Sequence, residues 1–172
     1  AIRPTVRKLL EWNTNLLKDK PIKEMEQKLQ KMITLFKVSE PDSSEKYFRI
    51  HWSGDIFNRD YAKALANTIS ANPDVTFCTY TRSFSLIDEF KDLNNLIFYL
   101  SLDPANYKEG FEAFIKHNWY LDPKRKIAYM SKDINSFKEA IAWAKTKFES
   151  NSGFVKWLES TKITNCPVDA GT

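Results

Sequence analysis

The chain has 172 residues, of which 42% are hydrophobic, 14% aromatic and 28% charged, with a net charge of +4. That is enough sequence to bury a core within one domain, and so small a basic excess is no nucleic-acid signature by itself. No apolar run approaches the ~18 residues of a membrane span and the N-terminus lacks the apolar stretch of a signal peptide. The sequence therefore reads as a soluble protein of the cytoplasm, without a membrane partner.

Residues 4–18 set Val6, Leu9, Leu10, Leu16 and Leu17 at helical intervals between Pro4 and Pro21, which predicts a first helix with one apolar stripe. A second helix is predicted over residues 21–37, with Pro21 at its first position and Ile22, Met25, Leu29, Met32, Ile33 and Phe36 at three- and four-residue steps. Positive charge gathers here: nine Lys and Arg, among them Lys23, Lys28 and Lys31, stand in residues 1–37 against Glu11, Asp19, Glu24 and Glu26. Amphipathic helices ordinarily expose lysines to solvent, but the same face suits a nucleic acid or an acidic partner.

After the polar link at residues 39–45 the pattern changes to strands centred near Ile50, Phe77, Phe98 and Ala128, at steps of roughly 20 to 30 residues. Such steps fit a strand, a crossover helix and the next parallel strand. The predicted crossovers are residues 58–71, a short one at 85–93, and 104–118; a further helix follows at 134–148, and residues 153–160 add a last short turn. The expected fold is α/β: a parallel sheet of at least four strands with crossover helices, open or a partial barrel, preceded by two helices. As a single domain it divides into a helical pair (1–38), βα units (46–150) and a C-terminal extension (151–172).

In parallel α/β sheets the carboxyl ends of the strands face one edge, where ligands bind. Each predicted strand here runs into a polar cluster: His51, Ser53 and Asp55; Thr81, Arg82 and Ser83; Ser101 and Asp103; Ser131 and Lys132. His51 is a candidate proton carrier near neutral pH, or equally a buried imidazole bonded within the sheet. Asp55 is its catalytic partner or the cap of the next helix. Arg82 suits a carboxylate or phosphate, and Ser53, Thr81, Ser83, Ser101, Asp103 and Lys132 complete a ligand-binding set whose rival role is solvated loop. His117 ends a helical pattern, where an imidazole suits the helix dipole. No GxSxG, HExxH, Walker or GxGxxG element occurs, and Ser53, His51 and Asp55 lack the special turn and oxyanion site of a hydrolytic triad. Cys78 and Cys166 are far apart, outside any zinc-binding spacing.

The run Arg49-Ile50-His51-Trp52-Ser53-Gly54-Asp55-Ile56-Phe57, then Tyr61, Asn72-Pro73-Asp74-Val75-Thr76-Phe77 and Tyr80-Thr81-Arg82-Ser83, resembles the bacteriophage gene product 88 family. The family pattern is an RIHxSGD strand end, an aromatic a few residues on, and a PxVxFxxYT(K/R)S second strand; the likeness is closest over residues 47–84. It implies a phage protein whose α/β unit is akin to radical-SAM barrels, with cysteine clusters flanking the helices and the polar strand ends as the site. This sequence departs from that pattern: no cysteine cluster precedes the first helix, and Cys166-Pro167 stands alone. An iron–sulfur cluster takes about four cysteines, so one is expected only if cysteines outside this segment contribute, and the cofactor is otherwise unassigned.

The function expected is a phage protein whose strand-end pocket binds a small phosphorylated or nucleotide-like ligand, with catalysis on it left open. The alternative is a non-catalytic protein that binds a host protein, another host macromolecule or a nucleic acid through its basic N-terminal helices.

Overall fold

Pro21 starts the described architecture, in a computed structural model that describes residues 8, 11, 14–40, 45–51, 54–131, 133–161 and 163–166. The first predicted helix falls largely outside these residues; its end is helical at 14–17, and the Lys18 N–H donates to the Thr14 carbonyl at 2.8 Å. Pro21 is the N-cap of α1 (Ile22–Ser39), one position earlier than expected, and its carbonyl accepts from the N–H groups of Glu24 and Met25. Its missing N–H costs nothing there, because the first turn has no intrahelical acceptor. Met25, Leu29 and Ile33 are buried on one face, each contributing about 2–3 kcal/mol by leaving water, and this face packs on α2 (Arg59–Ser70). Met32, read as part of the stripe, is exposed with Leu35 and Val38.

β1 (Lys46–Arg49) precedes α2 and pairs in parallel with β2 (Val75–Thr81), from Lys46↔Val75 to Arg49↔Cys78. It stops earlier than its apolar alternation predicts. Ile50 keeps one bond, to the Cys78 carbonyl at 3.0 Å; Gly54 has a φ of 87°, in the left-handed region that favours glycine. A 3₁₀ segment (Phe84–Phe90) serves as the short crossover to β3 (Leu96–Leu102), and α3 (Tyr107–Lys116) with a 3₁₀ turn (Trp119–Leu121) leads to β4 (Arg125–Met130). α4 (Ile134–Lys147), α5 (Ser152–Ser160) and β5 (Thr164–Cys166) follow. The sheet runs β1-β2-β3-β4-β5 and is not closed into a barrel. β3 with β4 and β4 with β5 are also parallel. The residues read as a C-terminal extension thus supply a helix and a fifth strand.

The chain divides into two compact units, residues 1–78 with 86–96, and residues 79–85 with 97–172. In the first, Asn95 acts as a clamp: its Nδ2 donates to the carbonyls of Ile69, Asn72 and Val75 at 2.9–3.1 Å, while its carbonyl accepts from the Phe77 N–H. In the second, the core is aromatic. Phe98 meets Trp119, Phe111 meets Phe154 and Phe114 meets Trp157, with ring centroids 4.8–6.2 Å apart. Gly110 lets α3 approach β3 closely, since a Cβ there would lie 2.7 Å from the Leu102 side chain.

Strand burial alternates. Leu96, Phe98, Leu100 and Leu102 of β3 are fully buried, whereas Ile97 and Tyr99 are half-buried; on β4, Arg125, Ile127 and Tyr129 are buried and Lys126 is exposed. Towards the carboxyl ends both faces are covered, since Cys78 of β2, Ser101 of β3 and Ala128 of β4 are buried as well, as expected of parallel strands.

Candidate functional site

The predicted site residues belong to different units: His51 and Asp55 to the first, and Thr81, Arg82, Ser83, Ser101, Asp103 and Ser131 to the second. Ser53 and Lys132 lie outside the described residues.

In the first unit His51 follows the end of β1, and its Nε2 lies 2.9 Å from the Tyr61 hydroxyl, with which it shares a hydrogen bond. Asn58 caps α2 by accepting the Tyr61 N–H at 2.8 Å, which sets Tyr61 in the first turn of α2, where its hydroxyl meets the imidazole. Asp55 does not cap the helix; its Oδ1 accepts the neighbouring Ile56 N–H at 2.7 Å. Phe57 stacks on Tyr61 with ring centroids 4.4 Å apart. Burial holds the His51 pKa below the usual histidine value, and the Asp55 carboxylate opposes that shift. Burial, and then the Asp55 charge, push the Tyr61 hydroxyl well above the ordinary phenol range. At neutral pH the pair is therefore a neutral imidazole against a protonated phenol. Such a pair can pass a proton through the imidazole, but it carries no charge to hold an anion.

In the second unit the ends of β2 and β3 are joined by an ion pair, Arg82 Nη1 to Asp103 Oδ2 at 2.9 Å, with the Arg82 side chain half exposed and that of Asp103 19% exposed. Asp103 is itself fixed: its Oδ1 accepts the N–H groups of Ala105 and Asn106, and its own N–H donates to Asn106 Oδ1 at 2.7 Å. Asn106 also donates to the Ser101 carbonyl. Thr81 is buried and its hydroxyl accepts the Ser83 N–H at 3.0 Å. Ser101 is buried too, with its hydroxyl on Met130 Sδ at 3.3 Å. Ser131 shares a hydrogen bond with Ser136 and accepts the Asp133 N–H at the start of α4. The structure thus brings Arg82 and Asp103 together, with the Ser101 backbone, and turns the hydroxyls of Thr81, Ser101 and Ser131 to local backbone and side-chain partners.

Tyr61 and Asn106 carry much of this geometry without having been singled out. Tyr61 stands in the pattern of the resemblance, ten residues from His51; for Asn106 the only signal is its distance of three residues from Asp103, a spacing suited to a side chain bonding back to the backbone. Among the described residues no three His, Cys, Asp or Glu side chains gather as metal ligands, and Cys78 is buried as a free thiol. These residues do not fit an iron–sulfur cluster. No helix among them is long and apolar enough to cross a membrane.

Two curated proteins share this sequence pattern. The chain is 36% identical over 108 residues to the "Gene 88 protein" of Mycobacterium phage L5 and 35% identical over 108 residues to that of Mycobacterium phage D29, in each case 61% of this chain and 45% of the relative. It thus spans about half the length of the curated relatives it matches. No solved structure matches it. The family model described as Gene product 88 matches residues 1–168, a span that holds both the His51–Tyr61 pair and the Arg82–Asp103 bridge, and on that match the chain belongs to the gene product 88 family of phage proteins.

Proposed function

We propose that this phage protein, acting in the host cytoplasm, binds a small phosphorylated or nucleotide-like ligand at the strand ends of its second unit. Arg82 is the anion contact, and Thr81, Ser83, Ser101 and Asp103 shape its surroundings. The observation that carries the reading is the Arg82–Asp103 bridge: a half-exposed guanidinium is held at a strand end by a carboxylate that two backbone N–H groups fix in place. A guanidinium has five N–H donors in a planar fork, so a phosphate can engage it while Asp103 sets its orientation. In the first unit, the neutral His51 beside Tyr61 and Asp55 is the proton carrier of the reading. The two clusters are tested separately. Lys132 remains a proposed ligand contact of the second unit by sequence position, and Ser53 one that belongs with the His51 cluster of the first.

Kinship with radical-SAM barrels enters this proposal for the scaffold alone, on the succession of parallel strands and crossovers. Cluster chemistry would require cysteines from elsewhere.

The test is thermal stabilisation of the full chain by a panel of sugar phosphates. The wild type is expected to be stabilised, and Arg82→Ala to lose at least about tenfold in affinity, the worth of one charge-assisted contact. Stabilisation by none of them, or stabilisation equal in Arg82→Ala, sinks the reading.

A second reading is supported by α1, where Met32, Leu35 and Val38 are exposed beside Lys31: a non-catalytic protein that meets a host macromolecule or nucleic acid through this helix. Its basic face is partly neutralised, since Lys20 and Lys28 lie against Glu24 and Lys37 against Asp74.

A further inference from the structure

A cavity of about 480 Å3 in the second unit lies away from the strand ends, and its lining includes Tyr99, Tyr120, Arg125, Lys126, Ile127 and Trp157. Three consecutive residues of β4 take part. Their side chains alternate between the two faces of the strand, so a cavity touching all three opens on the strand's edge. The pairing of β4 explains why: β5 begins opposite Ala128, and no described strand lies along residues 125–127 on that side. The volume falls in the range of about 300–1,000 Å3 typical of small-molecule sites.

The lining has two chemical components. Tyr99, Tyr120 and Trp157 come from β3, the second 3₁₀ turn and α5, and so present aromatic surface from three elements. Tyr99 is held in place on one side by Tyr80, stacked at 4.4 Å between centroids and 10° between planes. The Lys126 ammonium stands over the same Tyr99 ring at 5.7 Å. Arg125 is buried, 3.3 Å from Asp122 and 5.3 Å from the Trp119 centroid, so its charge is already matched and it serves as wall. Lys126 is exposed and is the cation that can meet an incoming anion. A planar ring laid against pre-positioned aromatics, carrying an anionic group at the reach of one lysine, meets both components; this is how aromatic and basic residues together hold nucleotides.

We propose that this cavity is a second binding site, for a nucleoside monophosphate, with the base against the Tyr99, Tyr120 and Trp157 surfaces and the phosphate on Lys126. It stands apart from the strand-end reading: β4 contributes its first three residues here, at the amino end of the strand.

Calorimetric titration of the full chain carrying Arg82→Ala, which weakens the strand-end anion contact, with AMP, adenosine and ribose 5-phosphate tests it. AMP is expected to bind, and adenosine and ribose 5-phosphate to bind at least about tenfold more weakly, the size of one phosphate contact and one stacking contact respectively. In this background Lys126→Glu should lose at least about tenfold in AMP affinity and Lys126→Arg should retain it. Because Lys126 is exposed, neither of its variants disturbs the core. No AMP binding by Arg82→Ala, equal binding by Lys126→Glu, or ribose 5-phosphate as tight as AMP overturns the proposal. AMP binding by the wild type but not by Arg82→Ala would support the strand-end site instead.

Discussion

His51 gains its character from where its ring is put. Half-buried against Tyr61, and partly withdrawn from water, it resists protonation, so its folded pKa lies below the ordinary value of 6.5. The sign of the linkage follows. Above pH 6.5 neither the folded nor the unfolded chain binds this proton; as the pH falls below 6.5 the unfolded chain takes it up and the folded chain does not, so stability is lost from 6.5 down to the depressed folded pKa. Melting temperatures of the wild type and His51→Gln, followed from pH 7.5 to about 5, are expected to diverge in the variant's favour as the acid is added. Parallel curves would contradict the buried neutral imidazole. Arg82 illustrates the opposite case, a charge kept at the surface because a carboxylate is fixed beside it.

Single elements here depend on polar side chains that close backbone gaps. α2 is anchored by Asn58 at its first turn, and the loop from α2 to β2 is gathered by Asn95, whose amide reaches three carbonyls. Replacing it with leucine keeps the volume but leaves those carbonyls short of a donor. At about 1–3 kcal/mol for an unsatisfied buried group, Asn95→Leu is expected to cost about 2–3 kcal/mol, read as a lower urea midpoint with an unchanged slope. A loss below about 0.5 kcal/mol, the size of an ordinary surface change, would mean that the clamp is incidental. The short strands β1 and β5, at the two ends of the sheet order, limit the length of edge open to unwanted pairing.

At the scale of the whole molecule, charge decides between partners. The net charge is +4, and Lys28 and Lys37 of α1, with Lys20 just before it, lie against acidic groups. Nucleic-acid affinity should therefore depend weakly on salt, with a log–log slope shallower than about −3, since each neutralised phosphate contributes about −0.9. A steeper slope by filter binding or fluorescence anisotropy, abolished by reversing Lys23, Lys28 and Lys31 together, would favour the nucleic-acid reading of α1 over the strand-end ligand.

The sequence by itself determined the kind of elements and their direction. Apolar residues at steps of three and four marked the buried face of α1, Met32 excepted, and the spacing of the apolar runs required crossovers, hence parallel strands. These are local periodicities, and the hydrophobic effect acts on them directly. Tertiary structure decided what periodicity does not encode. Ile50 looks like a strand residue but stands past the end of β1, with a single backbone bond to β2. Thr164 to Cys166 are too few to show alternation, and become a strand only because the edge of β4 offers them a partner. The chemistry divides likewise. His51, Asp55, Arg82 and Asp103 were legible as polar residues at strand ends; that His51 faces Tyr61, and that Arg82 is met by Asp103, depends on backbone turns and long-range packing, which bring together groups the chain keeps apart.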